Sequence, residues 1–111
     1  MIDWPTAFRC AAQHVAAMPA PDGDAVVLDQ PRMREVESGW LFFYNSQVHL
    51  QSGDPRAGLV GNVPFVIDRR DGSAHGLRTH WRQALLEHEQ RYRDEMAAGY
   101  LQAPAPQPRL R

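Results

Sequence analysis

A run of large apolar residues from Trp40 to Tyr44 constrains the fold of this chain more than any other segment. Successive side chains of an extended strand point to opposite faces of a sheet. One face would carry Trp40, Phe42 and Tyr44, and the other Leu41 and Phe43. Large apolar residues on both faces are typical of a strand in the middle of a sheet. The run therefore predicts a central strand.

The length and charge of the chain limit what it can be. Its 111 residues suffice for one hydrophobic core but not for two independent cores. The 12 basic residues, all of them arginine, nearly balance 13 acidic residues and leave a formal net charge of -1. Nucleic acid and anionic membrane surfaces are therefore not expected as partners.

The cysteine content and the hydropathy pattern bear on the compartment. Cys10 is the only cysteine, so an intramolecular disulfide is impossible and nothing points to an oxidising environment. The first residues carry no basic segment ahead of an apolar run, and no later run reaches the roughly 18 apolar residues that a membrane span requires. We therefore expect a cytoplasmic protein that does not enter a membrane.

The first part of the chain predicts one helix and two short strands. A helix over residues 6–18 follows from apolar residues at spacings of three and four, with Asp3 or Thr6 as its N-cap. Prolines and glycine at residues 19–24 end that helix. Residues 25–29 contain a short apolar run, and residues 33–37 read as a second extended segment whose side chains alternate between two faces. Both patterns predict short strands. The helix would present one stripe, formed by Ala7, Ala11, Val15 and Met18.

The middle of the chain predicts a polar loop followed by a hairpin. Residues 45–58 are polar and contain the turn signal Gly53-Asp54-Pro55, so we expect a loop from which only Val48 and Leu50 reach the core. Two strands, at residues 65–68 and 73–76, then flank a short turn. Gly72 supplies the positive φ that such a turn requires.

The C-terminal part predicts one long amphipathic helix over residues 81–96. Thr79 is the expected N-cap and Gly99 the expected stop. The inner stripe would consist of Trp81, Leu85, His88, Tyr92 and Met96. The outer face would carry two ion pairs at i,i+4 spacing, Glu87 with Arg91 and Glu89 with Arg93.

These elements predict an α+β fold. We expect an antiparallel sheet of four or five strands, flanked by an N-terminal helix and a long C-terminal helix, with the helices covering one sheet face. Residues 1–102 would form a single domain. The proline-rich residues 103–111 would form a flexible tail.

The residue pattern does not favour a metal site or a cofactor. None of the five histidines is paired with another at i,i+4 on one predicted helix, and the nearest pair, His75 and His80, straddles a hairpin end and a helix start. We instead expect His14 and His88 to pack between a helix and its neighbours. No metal ligand and no cofactor-binding residue is predicted.

A catalytic nucleophile is equally unsupported. Cys10 lies on the inward stripe of its predicted helix, and an inward thiol is usually inert. Ser46 or Ser52 could pair with His49, but neither lies in the sharp strand-to-helix turn that exposes a nucleophile. The glycines that follow are spaced too widely to cradle a phosphate. We therefore predict no enzymatic activity.

Two features allow both a structural and a functional interpretation. The aromatic residues of the central strand fill a core in the first and offer a docking face in the second, where Tyr44 would be the most exposed. Residues 61–64, Gly-Asn-Val-Pro, are either a sharp entry into the next strand or a loop in which Asn62 contacts a partner.

The ordered motifs of residues 36–76 resemble one family. They are Gly39-Trp40, Gly53-Asp54, Gly61-Asn62-Val63-Pro64, Asp68 and Asp71-Gly72, with their order and spacing preserved. This set is similar to immunity protein 35, also called the YrhB-like family, whose members are small partners of bacterial polymorphic toxins. The first helix offers no motif that matches, and the last helix is longer than the family pattern leads us to expect.

The resemblance implies a non-enzymatic protein that binds a cognate toxin or effector domain and blocks its active site or access to it. The candidate partner-binding residues are Tyr44, Asp54, Arg56 and Asn62 on one rim, and Arg69, Arg70 and Asp71 at the hairpin tip. For each charged residue a merely solvated surface is the alternative.

Other functions remain open at this point. A stress or chaperone-like role, also attached to YrhB-like proteins, would require exposed apolar surface for many unfolded clients. A small enzyme is the third alternative, and a metal or cofactor bound tightly to the isolated protein would favour it. An unpaired edge strand at residues 25–29 could support a homodimer. The sequence of an inhibitor does not reveal which reaction its toxin catalyses, because its surface matches the shape of the toxin more than its chemistry.

Overall fold

The computed structural model describes residues 1–99, and the predicted tail at residues 103–111 lies outside the described residues. The described elements follow the order α1 (Trp4–Ala16), β1 (Val26–Leu28), β2 (Arg34–Val36), β3 (Gly39–Phe42), β4 (Tyr44–Ser46), α2 (Gln47–Ser52), β5 (Phe65–Asp68), β6 (Ala74–Gly76) and α3 (Trp81–Ala97). Short 3-10 turns at Gln30–Arg32 and Pro55–Ala57 lie in the connections. The predicted α+β fold is confirmed.

The strands form two antiparallel sheets. β2, β3, β5 and β6 make a four-stranded sheet in that order, so β3 and β5 are its central strands. Across them Trp40 lies opposite Ile67 and Leu41 lies opposite Val66. β1 and β4 form a separate two-stranded ribbon. The predicted hairpin at the end of β5 is confirmed, with β6 as its second strand.

The apolar run is central, as predicted, but it is not one strand. β3 ends at Phe42, and the next strand begins at Tyr44, opposite Leu28 in the ribbon. Phe43 makes the transition, because its carbonyl oxygen accepts the N–H of Asp29 at 2.8 Å. The chain thus changes sheets within the run.

α1 begins at a side-chain cap. The carboxylate of Asp3 accepts the backbone N–H of Thr6 at 3.0 Å, and a proline occupies the first turn. Of the two predicted caps, Asp3 is therefore the one used. The helix presents Ala7, Ala11 and Val15 to the sheet, and the two alanines are completely buried. Their side chains are single methyl groups, which lets the helix approach the sheet closely.

The two long helices cover opposite faces of the four-stranded sheet. α1 packs on the face that carries Trp40, Phe42, Phe65 and Ile67. α3 packs through Ala84 on the other face, which carries Leu41, Phe43 and Val66. The expectation that helices cover one face is wrong, because strands with large apolar residues on both faces need cover on both.

The polar segment after the ribbon is not merely a loop. Ser46 accepts the N–H of His49 at 2.9 Å and so caps the short helix α2, which ends at Gly53 with φ +75. Val48 and Leu50 are 43% and 37% exposed, so the expectation that they reach the core is wrong. A six-residue helix is below the length that periodicity detects, and its two apolar residues point to solvent.

The start and the charges of α3 differ from the prediction. His80, not Thr79, is the N-cap residue, and its side chain makes no capping hydrogen bond. Glu87 accepts hydrogen bonds from Arg78 and Gln83 instead of pairing with Arg91. The helix ends as predicted, with Gly99 in the left-handed conformation at φ +87.

The second predicted ion pair is also wrong. Glu89 is buried and accepts hydrogen bonds from the backbone N–H of Ser38, at 3.1 Å, and from its hydroxyl group. Arg93 instead pairs with Glu37 at 3.0 Å and bonds Gln90. Sequence spacing placed Glu89 on the outer face, whereas the turn between β2 and β3 reaches over α3 and covers it.

Gly39 allows the two central strands to approach at the start of β3. A Cβ at this position would lie 1.9 Å from the carbonyl oxygen of Ile67, which no side chain can tolerate. At the same end of β5, Gly72 takes φ +80, and its N–H donates to the carbonyl oxygen of Asp68 at 2.8 Å. Backbone geometry therefore requires glycine at Gly39 and Gly72, two of the glycines in the motifs that carry the resemblance.

Candidate partner-binding surface

The two predicted groups of partner-binding residues lie at opposite ends of β5. Tyr44 and Asn62 lie before the strand begins, and residues 69–71 follow its end. β5 has 4 residues, and at about 3.3 Å per residue they separate the two groups by roughly 13 Å. The structure does not bring all seven residues into one site.

Tyr44 and Asn62 meet at the end of the sheet where β3 stops. The side-chain amide of Asn62 donates to the carbonyl oxygen of Tyr44 at 2.8 Å. Tyr44 is half-buried, and its ring packs at 6.0 Å from that of Phe65. Both residues border a narrow cleft of about 80 Å³. Its other walls are formed by Arg32, Phe43, Val63, Pro64 and Trp81.

Asp54 and Arg56 form a pair of their own on the loop after α2. Asp54 accepts the backbone N–H of Arg56 at 2.9 Å and its Nε at 3.3 Å. These hydrogen bonds lower the pKa of Asp54 below its usual value. The carbonyl oxygen of Asp54 also contacts Nδ1 of His49 at 2.8 Å, which ties the loop to α2. Arg56 itself is 90% exposed.

The side chain of Arg69 is bound to other residues of the same chain. Its guanidinium donates to the carbonyl oxygens of Glu37 and Val36 and to the carboxylate of Glu35, at 2.8–2.9 Å. It also stacks over the ring of Trp40, with 4.9 Å from Cζ to the ring centroid. Arg69 therefore fastens the hairpin to the turn between β2 and β3, and only one edge of it is left for a partner.

Arg70 is held even more tightly. It bonds both carboxylate oxygens of Asp68, at 3.0 and 2.8 Å, reaches Glu95 on α3 at 2.6 Å, and stacks over Tyr92. Burial raises the pKa of Asp68, but the hydrogen bonds and charge of Arg70 outweigh it, and the net pKa is lowered. The hydrogen bonds that Arg70 donates to Asp68 in turn raise the pKa of Arg70. Arg70 joins the hairpin to α3.

Asp71 is the exposed residue of the hairpin tip. It accepts the N–H of Ser73 at 3.0 Å and its hydroxyl at 2.7 Å. Because that hydroxyl donates to Asp71, it accepts from Nε2 of His75, which lies 2.7 Å away. Of the three predicted tip residues, Asp71 alone has its side chain mainly in solvent.

The sequence prediction missed four residues beside the Tyr44 rim, which we call the arginine–aromatic cluster: Arg32, Phe43, Trp81 and Arg82. Arg32 stacks over Phe43 at 4.1 Å, and Arg82 stacks over Trp81 at 4.4 Å. The two rings meet edge to face, with centroids 5.4 Å apart. Trp81 also lines an open groove of about 450 Å³ along the first turn of α3.

Part of this cluster had a sequence signal. Arg82 lies in the first turn of α3, which contains no acidic residue, whereas Asp94 and Glu95 lie in the last turn. This order opposes the helix dipole, which favours acidic residues at the start and basic ones at the end. Nothing in the sequence, however, placed Arg32 on Phe43, because that contact depends on the change of sheets after β3.

A second cluster joins β6 to α3. The rings of His75 and His88 lie 5.0 Å apart beside a cavity of about 330 Å³. Nδ1 of His88 faces Arg91 at 3.5 Å, and its buried Nε2 has no hydrogen-bond partner among residues 1–99. Burial, His75 and Arg91 lower the pKa of His88. The packing role predicted for His88 is confirmed, and His14 likewise packs against Phe65.

The groups considered for catalysis serve other purposes. Ser46 caps α2, and Ser52 donates to the carbonyl oxygen of Val48 at 2.7 Å, so neither hydroxyl is engaged by the His49 ring. Cys10 packs toward Gly72. Within residues 1–99 no group of three His, Cys, Asp or Glu side chains could hold a metal ion. No helix in this part of the chain has the length and apolarity to cross a membrane.

Comparison with known proteins decides the family. The family model described as Immunity protein 35 matches residues 5–95. The chain belongs to the immunity protein 35 family. In this family member the match runs from α1 to α3, well beyond the motifs of residues 36–76, so both helices are part of the family pattern. The predicted resemblance is confirmed, and it indicates an immunity-protein role.

A relative with a shorter match supports the same assignment. The chain is 44% identical over 41 residues to "Uncharacterized protein YrhB" of Escherichia coli (strain K12). The match covers 37% of this immunity protein 35 chain and 44% of YrhB, so the chain spans less than half the length of that relative. No solved structure gives a significant match.

Proposed function

We propose that this chain is an immunity protein that binds a cognate bacterial toxin or effector domain in the cytoplasm and blocks its active site or the path to it. The single observation that carries the proposal is the family match over residues 5–95, which includes every helix and strand as far as the last turn of α3. Inhibition needs a rigid, complementary surface and no chemistry by the inhibitor itself. The proposal is therefore a non-enzymatic function.

The fixed geometry of the predicted rim supports a binding role. Asn62 is held by Tyr44, and Asp54 is held by Arg56, before any partner arrives. A surface that is already ordered loses less conformational entropy on binding, which favours affinity. Tyrosine and arginine are also enriched among residues that dominate binding energy. We propose Tyr44, Asp54, Arg56 and Asn62 as contact residues.

We propose two different roles for the residues at the hairpin tip. Asp71 would contact the partner directly, because it is exposed. Arg69 and Arg70 would position the tip, since their guanidinium groups are bound to Glu35, Asp68 and Glu95. The free edge of β1 is the proposed contact for a homodimer, which light scattering of the purified chain would test.

The direct test is whether the chain restores the growth of bacteria that express the toxin. Genes beside the one that encodes this chain would be expressed singly in a heterologous bacterium, and a toxic product would be co-expressed with the chain. We expect growth to be restored and a stoichiometric complex to be recovered with a catalytically inactive toxin. A Tyr44→Ala, Asn62→Ala variant should weaken rescue, whereas Gln13→Ala, on the exposed side of α1, should not.

Two results would count against this function. One is a purified chain that rescues no neighbouring toxic product but suppresses aggregation of several unrelated unfolded proteins, as a chaperone does. The other is turnover of a small molecule by the chain alone. Either would replace inhibition of a single partner by another activity.

A further inference from the structure

We propose that the arginine–aromatic cluster is the docking site for an acidic segment of the toxin. The inference rests on the proposed function and adds the chemistry of the partner. None of the seven predicted partner-binding residues belongs to this cluster, although Tyr44 and Asn62 border the same cleft.

Two stacked arginines elsewhere in the same protein bind carboxylates. Arg69 lies over Trp40 and is paired with Glu35. Arg70 lies over Tyr92 and is paired with Asp68 and with a second carboxylate on α3. In both places a ring covers the flat face of the guanidinium while carboxylates bind its edge. An arginine can do both at once, because its N–H groups lie in its plane and point outward.

The arginine–aromatic cluster repeats the first half of this pattern. Arg32 lies over Phe43 and Arg82 lies over Trp81, and both arginines are exposed. Among residues 1–99 neither forms an ion pair with a carboxylate. The rings hold two guanidinium groups in place with their edges open, which is the arrangement that receives carboxylates in a bidentate manner.

The charge of the surroundings favours the same occupant. Besides Trp81, the groove is lined by Thr79, His80, Arg82, Gln83 and Leu86, with no acidic side chain. Arg82 is unfavourable for the stability of α3, because a positive charge in the first turn of a helix opposes the helix dipole. Residues that break a local rule without stabilising the fold are expected at functional sites.

The size of the site points to a protein segment and not to a small molecule. The cleft of about 80 Å³ admits one or two side chains, well below the roughly 300–1,000 Å³ of ligand pockets. Trp81 lines both this cleft and the open groove of about 450 Å³. An extended segment with aspartate or glutamate at two positions would reach both Arg32 and Arg82.

The first experiment uses a glutamate decapeptide as the probe, with a glutamine decapeptide and a thymidine decanucleotide for comparison. Binding is followed by NMR on the indole N–H of Trp81 and the Nε–H groups of the arginines. We expect the glutamate peptide to shift Trp81, Arg32 and Arg82 at least fivefold more than the glutamine peptide does. The shifts should fade toward 1 M NaCl, where the Debye length is about 3 Å.

Matched variants decide whether the cluster is responsible. R32Q/R82Q should abolish the shift of Trp81, whereas R9Q/R91Q, which removes the same charge from exposed positions on α1 and the far half of α3, should preserve it. Equal shifts in both variants, or tighter binding of the decanucleotide than of the glutamate peptide, would overturn the proposal.

The second experiment uses the toxin identified by rescue. We expect R32Q/R82Q to bind it at least a hundredfold more weakly, mainly through slower association with a smaller salt dependence, because charge complementarity accelerates encounter. Unchanged binding by this variant would refute the docking site while leaving the immunity function intact. If wild-type chain binds and neutralises no toxin, the proposed function falls, and the peptide experiment still decides the acidic site.

A charge reversal separates binding from folding. R82E places an acid in the first turn of α3, where the helix dipole favours it. The melting temperature should stay the same or rise, while shifts with the glutamate peptide are lost. A clear fall in melting temperature would assign Arg82 to structure and count against the proposal.

Discussion

The two faces of the four-stranded sheet are covered by contrasting helices. On one face, α1 contributes the methyl groups of Ala7 and Ala11, packed on rings such as Phe42, without a buried charge. On the other face, α3 brings His88 and Glu89 into the interior beside Leu41 and Val66. The first interface is held by the fit of apolar volumes, and the second depends on polar partners.

The two interfaces therefore make different contributions: one mainly stabilises the sheet, and the other mainly fixes the orientation of a helix. Apolar packing is not directional, whereas hydrogen bonds and ion pairs fix one orientation. Three such links hold the far half of α3: Glu89 with Ser38, Arg93 with Glu37, and Glu95 with Arg70. They orient the helix whose first residue, Trp81, lies in the arginine–aromatic cluster. We infer that α1 mainly stabilises the sheet, whereas the polar contacts of α3 mainly fix the position of its N-terminus.

The largest effect is expected on the apolar face. Phe42→Ala should lower the free energy of unfolding by about 3–5 kcal/mol, because it leaves a cavity among side chains that cannot collapse into it. Phe42→Leu, which retains more of the volume, should cost about half as much or less. Urea denaturation measures both, and a loss below about 1 kcal/mol for Phe42→Ala would mean that this face is loosely packed.

The next effect tests the ion pair on the α3 face. Asp68→Ala should cost about 2–3 kcal/mol, somewhat less than the 3–5 kcal/mol typical when one partner of a buried pair is removed, because Arg70 retains Glu95. Asp68→Asn, which can still accept a hydrogen bond, should cost less. Urea denaturation again provides the measurement, and equal stability of wild type and Asp68→Ala would show that the pair is not needed to hold α3.

The same pair predicts a pH dependence with a definite sign. The pKa of Asp68 is lowered from 3.8 in the folded protein, so the unfolded state binds more protons between the folded pKa and 3.8. Its stabilising contribution is therefore complete above 3.8 and disappears as the pH falls through the folded pKa. The stability difference between wild type and Asp68→Asn should shrink over that interval, and a difference that grows toward acid would have the wrong sign.

A smaller effect concerns the buried hydrogen bonds of Glu89. Glu89→Ala should cost about 1–2 kcal/mol, because the N–H and hydroxyl of Ser38 lose their acceptor inside the protein. Glu89→Gln retains one acceptor oxygen and should cost roughly half. Glu87→Ala, whose side chain is exposed, is the matched control. If the two alanine variants lose equal stability, the burial of Glu89 has no energetic consequence.

The sequence predicted the elements whose apolar residues repeat and the turns that need glycine. The central strand, both long helices and the hairpin at Gly72 all follow from local pattern, and all are found. The pattern failed where distant segments decide the outcome. Glu89 has the spacing of an outer ion pair, and only its contact with Ser38, 51 positions away in the chain, places it inside.

The candidate site was predictable to a similar extent. The Gly-Asn-Val-Pro motif and the aromatic run drew attention to Tyr44 and Asn62, which the fold brings together. Arg69 and Arg70 were marked by charge alone, and charge does not tell whether an arginine faces solvent or its own chain. Arg32 lacked any signal, because its contact with Phe43 depends on the change of sheets after β3.

The smallest effect, and the sharpest test of the polar face, is a gain in stability. Nε2 of His88 is buried without a hydrogen-bond partner in the described part of the chain, residues 1–99, and an unsatisfied buried donor is costly. His88→Leu should therefore raise the free energy of unfolding by about 1 kcal/mol. The gain should depend on pH. Burial, His75 and Arg91 lower the folded pKa of His88 from 6.5, against the opposing charges of Asp68 and Glu89. The unfolded state then binds more protons below 6.5, and the wild type loses stability as the pH falls from 6.5 toward the folded pKa.

The advantage of His88→Leu over wild type should therefore be larger at pH 5.5 than at pH 8, as measured by urea denaturation at both values. His75→Gln serves as the control, because it removes the neighbouring imidazole and leaves the buried Nε2 in place. If His88→Leu is less stable than wild type at both pH values, Nε2 is satisfied and the polar face is as fully matched as the apolar one. The contrast between the two faces would then lie in composition alone and not in how completely each is satisfied.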